Sequence, residues 1–174
     1  MFKCSNVQLF NSRIKREFGF TLIEVLVVIA VIVSITAVAG GYWAAGIKKG
    51  RNTERKSALA LYKIALENYA SANNSYYPSA VTTKRLSVFC ASYLALYIPD
   101  CPEDSYYGND NTLVYNYQAY GANPLDNDGD PTALRWVMWS KLETTDKIWV
   151  SCSNGKNGEM NSVDFAVSSA NCPL

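Results

Sequence analysis

The chain has 174 residues, 49% of them hydrophobic, with a net charge of +1 and no histidine. That length suits one ordinary domain. A near-neutral charge gives no general electrostatic case for nucleic acid, and the lack of histidine removes the commonest acid–base catalyst and a usual zinc ligand.

Charge is unevenly placed. Residues 1–19 carry Lys3, Arg13, Lys15 and Arg16 against Glu17, a net of +3. That leaves 12 of the 16 basic and 14 of the 15 acidic side chains for the remainder, a net of −2. An apolar run follows this basic leader from Phe20 to Ile47, and Glu24 is its only charged residue. As a helix the run is long enough to cross a hydrocarbon core about 30 Å thick. A carboxylate at a bilayer centre costs roughly 2.5–3.5 kcal/mol on insertion scales, so Glu24 needs a reason.

Beyond the run, Leu59, Tyr62, Leu66, Tyr69 and Ala72 recur at three- and four-residue intervals, with Arg55, Lys56, Lys63 and Glu67 between them. The spacing predicts a helix with one apolar stripe, stopping at Asn73-Asn74-Ser75. A single helix from Phe20 to Asn73 would be about 80 Å long. Gly40-Gly41, Gly46 and Gly50 interrupt it, each costing up to about 1 kcal/mol relative to alanine. They suit either close helix packing or a stretch that bends.

Residues 76–112 read as a loop region rich in Tyr, Ser, Pro and Asp, with a short apolar piece at Leu86–Ile98. Period-2 alternation then marks Leu113–Ala119, Leu134–Glu143 and Ile148–Cys152 as strands, each with one face to bury. Turns are expected at Glu143–Asp146 and Asn154-Gly155. The meander's apolar face is the natural partner for the helix stripe. Trp136, Trp139 and Trp149 belong to that packing rather than to a ligand platform. The tail Lys156–Leu174 shows no periodicity.

Of five cysteines, Cys4 lies in the leader and Cys90, Cys101, Cys152 and Cys172 lie beyond the apolar run. An even four, with no C-x-x-C pair and no histidine, points to two disulfides in an oxidising compartment rather than to zinc. Three connectivities are open. Nearest-neighbour pairing, Cys90–Cys101 and Cys152–Cys172, is preferred without being dictated. Flanking basic residues occur on both sides of the apolar run, so the positive-inside rule does not orient the chain. The four cysteines place the body outside the cytoplasm.

Asp126-Asn127-Asp128-Gly129-Asp130 offers hard oxygen ligands at alternate positions, as at the start of a calcium loop. Pro131 and Val137 stand where an EF-hand needs glycine and glutamate, which excludes that motif. A solvated turn between strands is the favoured reading; a calcium site at Asp126, Asp128 and Asp130 is the rival, and calcium is the single cofactor candidate.

Gly19-Phe20-Thr21-Leu22-Ile23-Glu24 resembles the cleavage and methylation signature of type IV prepilins and of the pseudopilins of type II secretion. The resemblance covers about residues 16–35. It implies a leader, residues 1–19, that a prepilin peptidase removes by cutting after Gly19, followed by methylation of the new amino terminus at Phe20. It also implies that Glu24 acts in assembly, where a carboxylate one turn along the helix neutralises an amine, its own or a neighbour's. Two departures are visible: Glu17-Phe18 separates Arg16 from Gly19, and the leader is longer than those common in the family.

The expectation is therefore an α+β, pilin-like protein. A long N-terminal helix, transmembrane in its first half (20–47), packs through its second half on a small antiparallel sheet of three to four strands within a globular part, 48–174. Its role is structural, not enzymatic: a pilus or pseudopilus subunit, stored in the inner membrane as a single-pass precursor and polymerised with other subunits in the periplasm or outside the cell. The alternative is a secreted or membrane-anchored binding domain, calcium-dependent in one version, released by an ordinary signal peptide cut after Ala39 in Ala37-Val38-Ala39. The residues do not separate major pilin, minor pilin and pseudopilin.

Overall fold

The computed structural model describes residues 19–39, 43–121, 127–165 and 172–174. Two compact units divide the chain, Met1–Tyr42 and Trp43–Leu174. In the first, helix α1 (Leu22–Ala39) is apolar on every side, without an amphipathic stripe. Its two hydroxyl residues turn inward on the backbone: Ser34 Oγ donates to the Ala30 carbonyl at 2.8 Å and Thr36 Oγ1 to the Ile32 carbonyl at 3.0 Å, so neither hydroxyl is left unsatisfied among apolar neighbours. The side chains from Phe20 to Ile35 stand exposed within this unit. No described helix is long and apolar enough to cross a membrane. Of the expected spanning segment, 20–47, the described part includes α1, whose 18 residues rise about 27 Å against a core about 30 Å thick. Gly40-Gly41 and the basic leader up to Phe18 lie outside the described residues.

The second unit opens with α2 (Trp43–Ala72), a 30-residue helix. Its buried face comprises Asn52, Arg55, Leu59, Tyr62, Leu66 and Tyr69, a strict alternation of three- and four-residue steps. The predicted stripe thus holds from Leu59 to Tyr69, while Ala72 is exposed. One assignment reverses: Arg55, expected among the solvated residues, occupies a core position because the same spacing extends backward through it. The helix stops where predicted. Asn74 and Ser75 adopt positive φ of 56° and 67°, and the Ser75 amide bonds the Ala70 carbonyl at 2.8 Å, consuming a carbonyl the helix end leaves free.

Two short strands, β1 (Tyr77–Pro78) and β2 (Lys84–Arg85), lead into helix α3 (Leu86–Tyr93). The apolar piece at Leu86–Ile98 is therefore helical at its start, burying Leu86, Phe89 and Cys90 at i, i+3 and i+4. Then come β3 (Asn116–Tyr120), β4 (Pro131–Ala133), β5 (Arg135–Lys141), β6 (Lys147–Cys152) and β7 (Asn157–Asn161). All pairings are antiparallel: β1 with β4, and a five-stranded sheet in the order β2-β3-β5-β6-β7. Five strands replace the expected three to four because both edges are weak in sequence. The two residues of β2 are too few to show alternation. Strand β7, within the tail, reads Asn-Gly-Glu-Met-Asn, with a single large apolar side chain.

Both faces of this sheet are covered, not one. Toward α2 point Tyr117, Ala119, Trp136, Met138 and half-buried Trp149, packed with Leu59, Tyr62 and Leu66. The opposite face carries Tyr120, Val137, Trp139, Ile148, Val150, Cys152 and Met160, closed by Phe165, Cys172 and Leu174 from the tail. The apolar set of β6, expected to meet the helix, faces away from it. The register explains this: Val137 stands opposite Cys152 and Trp139 opposite Val150, whereas Met138 stands opposite Ser151, and partners directly opposite share a face. Leu134, the first residue of the expected strand, precedes β5 and is exposed.

Candidate functional site

At the head of α1, Gly19 and Phe20 precede the helix, and both are exposed, Phe20 at 79%. A Cβ built on Gly19 meets nothing within 4 Å among the described residues. Thr21 and Glu24 form a reciprocal cap. The Thr21 amide donates to Glu24 Oε2 at 3.4 Å and the Glu24 amide donates to Thr21 Oγ1 at 3.4 Å. Thr-x-x-Glu is the pattern of a capping box, which satisfies two orphan amides and sets a negative charge on the positive end of the helix dipole. That Thr-x-x-Glu signal is legible in the sequence itself. It gives Glu24 a local role beside the assembly role implied by resemblance.

In the globular unit, disulfides join Cys90 to Cys101 and Cys152 to Cys172, each with Cα atoms 5.8 Å apart. The first ties α3 to the loop at Pro102–Tyr106. The second fastens the tail over the outer face of the sheet. Cys4 lies outside the described residues.

The most concentrated electrostatics lie where α2 meets that loop and the β5–β6 turn. Arg55 pairs with Asp104 through Nε and Oδ2, and its Nη2 reaches Asp104 Oδ1 at 3.0 Å and Glu143 Oε1 at 2.6 Å. Arg51 pairs with Glu143 through both oxygens, its Nε at 2.7 Å from Oε1. Asn52 serves both sides: its Oδ1 accepts from Arg55 Nη1 at 2.8 Å and from the Glu143 amide at 2.9 Å, and its Nδ2 donates to Thr144 Oγ1 at 2.7 Å. Hydrogen bonds from Arg51, against the opposing effect of burial and with further help from Arg55, hold the Glu143 carboxyl down at about 2. Burial acts to lower the Arg55 pKa, but the bonds to Asp104 and Glu143 outweigh it and raise it. Charges so paired and hydrogen-bonded are tolerable inside a protein. The arrangement clamps α2 to two loops.

Tyrosine hydroxyls extend the clamp. Tyr62 donates to the Pro102 carbonyl at 2.6 Å, Tyr69 to the Gly129 carbonyl at 2.7 Å and Tyr117 to the Pro78 carbonyl at 2.8 Å. Burial pushes all three hydroxyls above the ordinary tyrosine range.

Of the aspartates offered for calcium, Asp126 lies outside the described residues. Asp128 pairs with Lys84 at 2.5 Å, and Asp130 Oδ2 accepts the Asn127 amide at 3.0 Å. Among the described residues, no group of three or more His, Cys, Asp or Glu is placed to hold a metal ion. The turn is instead packed: Gly129 has φ of +88°, and a Cβ there would fall 2.1 Å from the Tyr93 ring.

Compared with known proteins, residues 14–40 match the family model of the prokaryotic N-terminal methylation motif. No curated protein and no solved structure matches the chain significantly.

Proposed function

From the prokaryotic N-terminal methylation motif that this chain carries, characteristic of type IV pilins and pseudopilins, we propose that it is a structural subunit of a pilus or pseudopilus filament. The precursor is held in the inner membrane by residues 20–47, with the globular body outside the cytoplasm. Prepilin peptidase cuts after Gly19 and the new amino terminus at Phe20 is methylated. The observation that carries this reading is the motif itself, Gly-Phe-Thr-Leu-Ile-Glu at 19–24, opening a helix with no polar face.

Chemistry supports the assignment of roles. Cleavage exposes a cationic amine at Phe20, next to apolar residues that cannot solvate it. Glu24, one turn along, supplies the opposite charge, and an ion pair in a low-dielectric setting favours both ionised forms. An α1 that is apolar all round has no face for water, so it is stable in lipid or among other such helices. Two disulfides support a body that matures in an oxidising compartment.

Mass spectrometry of the mature amino-terminal peptide, from cells carrying a prepilin peptidase, tests the proposal. It should begin at methylated Phe20. A mature chain beginning at Gly40 would replace this reading with a secreted domain.

A further inference from the structure

Beside the clamp, the first turns of α2 run between two grooves of about 530 and 380 Å³. Both are floored by Leu142, Thr144 and Thr145 of the β5–β6 turn. Lys48 and Lys141 line the larger, and Lys49 lines the smaller. The acids of this end are largely spent internally. Glu143 is bound by two arginines and Asp104 by Arg55. Asp110, which also feels the charge of Lys141, accepts from the amide and hydroxyl of Thr112. Exposed Asp146 is the remaining carboxylate of the larger groove. Lys48 and Lys49 are exposed and make no ion pair among the described residues. On the same turns Trp43, 73% exposed, and Ile47 project at i and i+4.

An exposed tryptophan next to unpaired lysines is the composition of a segment lying at a lipid headgroup layer, the ring at the interface and the ammonium groups on phosphates. In sequence, Trp43 follows the apolar helix α1 by only a few residues. We propose that the start of α2, with Lys48, Lys49 and Lys141, is a docking surface for anionic phospholipid headgroups. It holds the globular body against the membrane while the subunit is stored. This inference rests on the membrane-held precursor of the preceding subsection.

Full-length precursor in nanodiscs provides the test, with lysine acetylation rates read by peptide mass spectrometry. Discs of phosphatidylcholine are compared with discs containing about 30 mol% phosphatidylglycerol. Labelling of Lys48, Lys49 and Lys141 should slow roughly threefold or more in the anionic discs. Lys63 should not change, since it lies about 21 Å further along the helix, beyond the screening length. Inorganic phosphate added to the phosphatidylcholine discs should leave all rates unaltered; equal protection by phosphate would make this a small-anion site and overturn the lipid proposal. The variant K48E/K49E should remain in the discs and lose the protection of Lys141. Persistence of that protection would also overturn it. A chain held in both discs with equal labelling refutes this inference alone, whereas a chain retained by neither refutes the membrane-held precursor as well.

Discussion

Arg55 and Asp104, 49 residues apart in sequence, form an ion pair whose side chains are each 1% exposed. Glu143 closes the network from a third element, so one guanidinium joins the long helix, the disulfide-bearing loop and the sheet. Breaking a buried pair from one side leaves a charge without its partner, at a cost of about 3–5 kcal/mol. Arg55→Met and Asp104→Leu should each lower unfolding free energy by that order in urea titrations. The double variant, which removes both charges, should recover part of the loss. Additive losses would show that the two charges do not act as a pair.

Acid sensitivity follows from Glu143. Its carboxyl is held at about 2 in the folded protein, below the ordinary glutamate value near 4.3. A depressed folded pKa contributes stability that is complete above the unfolded value and fades as pH falls through the folded one. Thermal melting should therefore decline between about pH 4.5 and pH 2. In Glu143→Gln, this component of the decline should be absent from melts read by circular dichroism.

The second disulfide holds a covering rather than a core. Cys172 brings the tail over Val150 and Val137. In the double variant Cys152→Ser/Cys172→Ser, stability should fall by about 3 kcal/mol from loop entropy. Amide exchange should accelerate first in β6 and β7. Exchange accelerating equally in α2 would mean that the outer cluster is not a separate layer.

At Gly129 two constraints coincide, a left-handed φ and the Tyr93 ring. Gly129→Ala should destabilise by at least about 1–3 kcal/mol. Adding Tyr93→Ala should not restore full stability, because the backbone strain remains. Stability equal to that of Tyr93→Ala alone would remove the strain account.

Glu24→Gln separates the helix cap from the proposed assembly role of that side chain. Glutamine still completes a capping box with Thr21 but carries no charge for an amine. The variant precursor should be cleaved normally, with the same mature terminus, while its incorporation into filaments falls at least about tenfold, the equivalent of 1.4 kcal/mol. Unchanged incorporation in a filament-shearing assay would leave Glu24 with its helix-capping role only.

Local patterns carried far in this chain. The motif around Gly19-Phe20 and Glu24 is legible because it lies in adjacent residues, and the match spans only residues 14–40. The stripe from Leu59 to Tyr69, its stop at Asn74-Ser75 and the presence of strands at β3, β5 and β6 are likewise set by short-range periodicity and turn chemistry.

What stayed hidden depends on partners distant in sequence. Arg55 looks like any solvated helix residue until Asp104 and Glu143, 49 and 88 positions away, compensate its charge. Alternation shows that Ile148, Val150 and Cys152 share a face, but only the register against β5 decides that this face meets the tail rather than α2. Strand β7 forms because β6 offers it a backbone edge; its own side chains carry almost no strand signal. The sequence by itself determined the motif, the amphipathic helix and the three central strands β3, β5 and β6, through contacts within a few residues. Tertiary structure alone decided which faces meet and which charges are buried, because those energies exist only once separated segments come together.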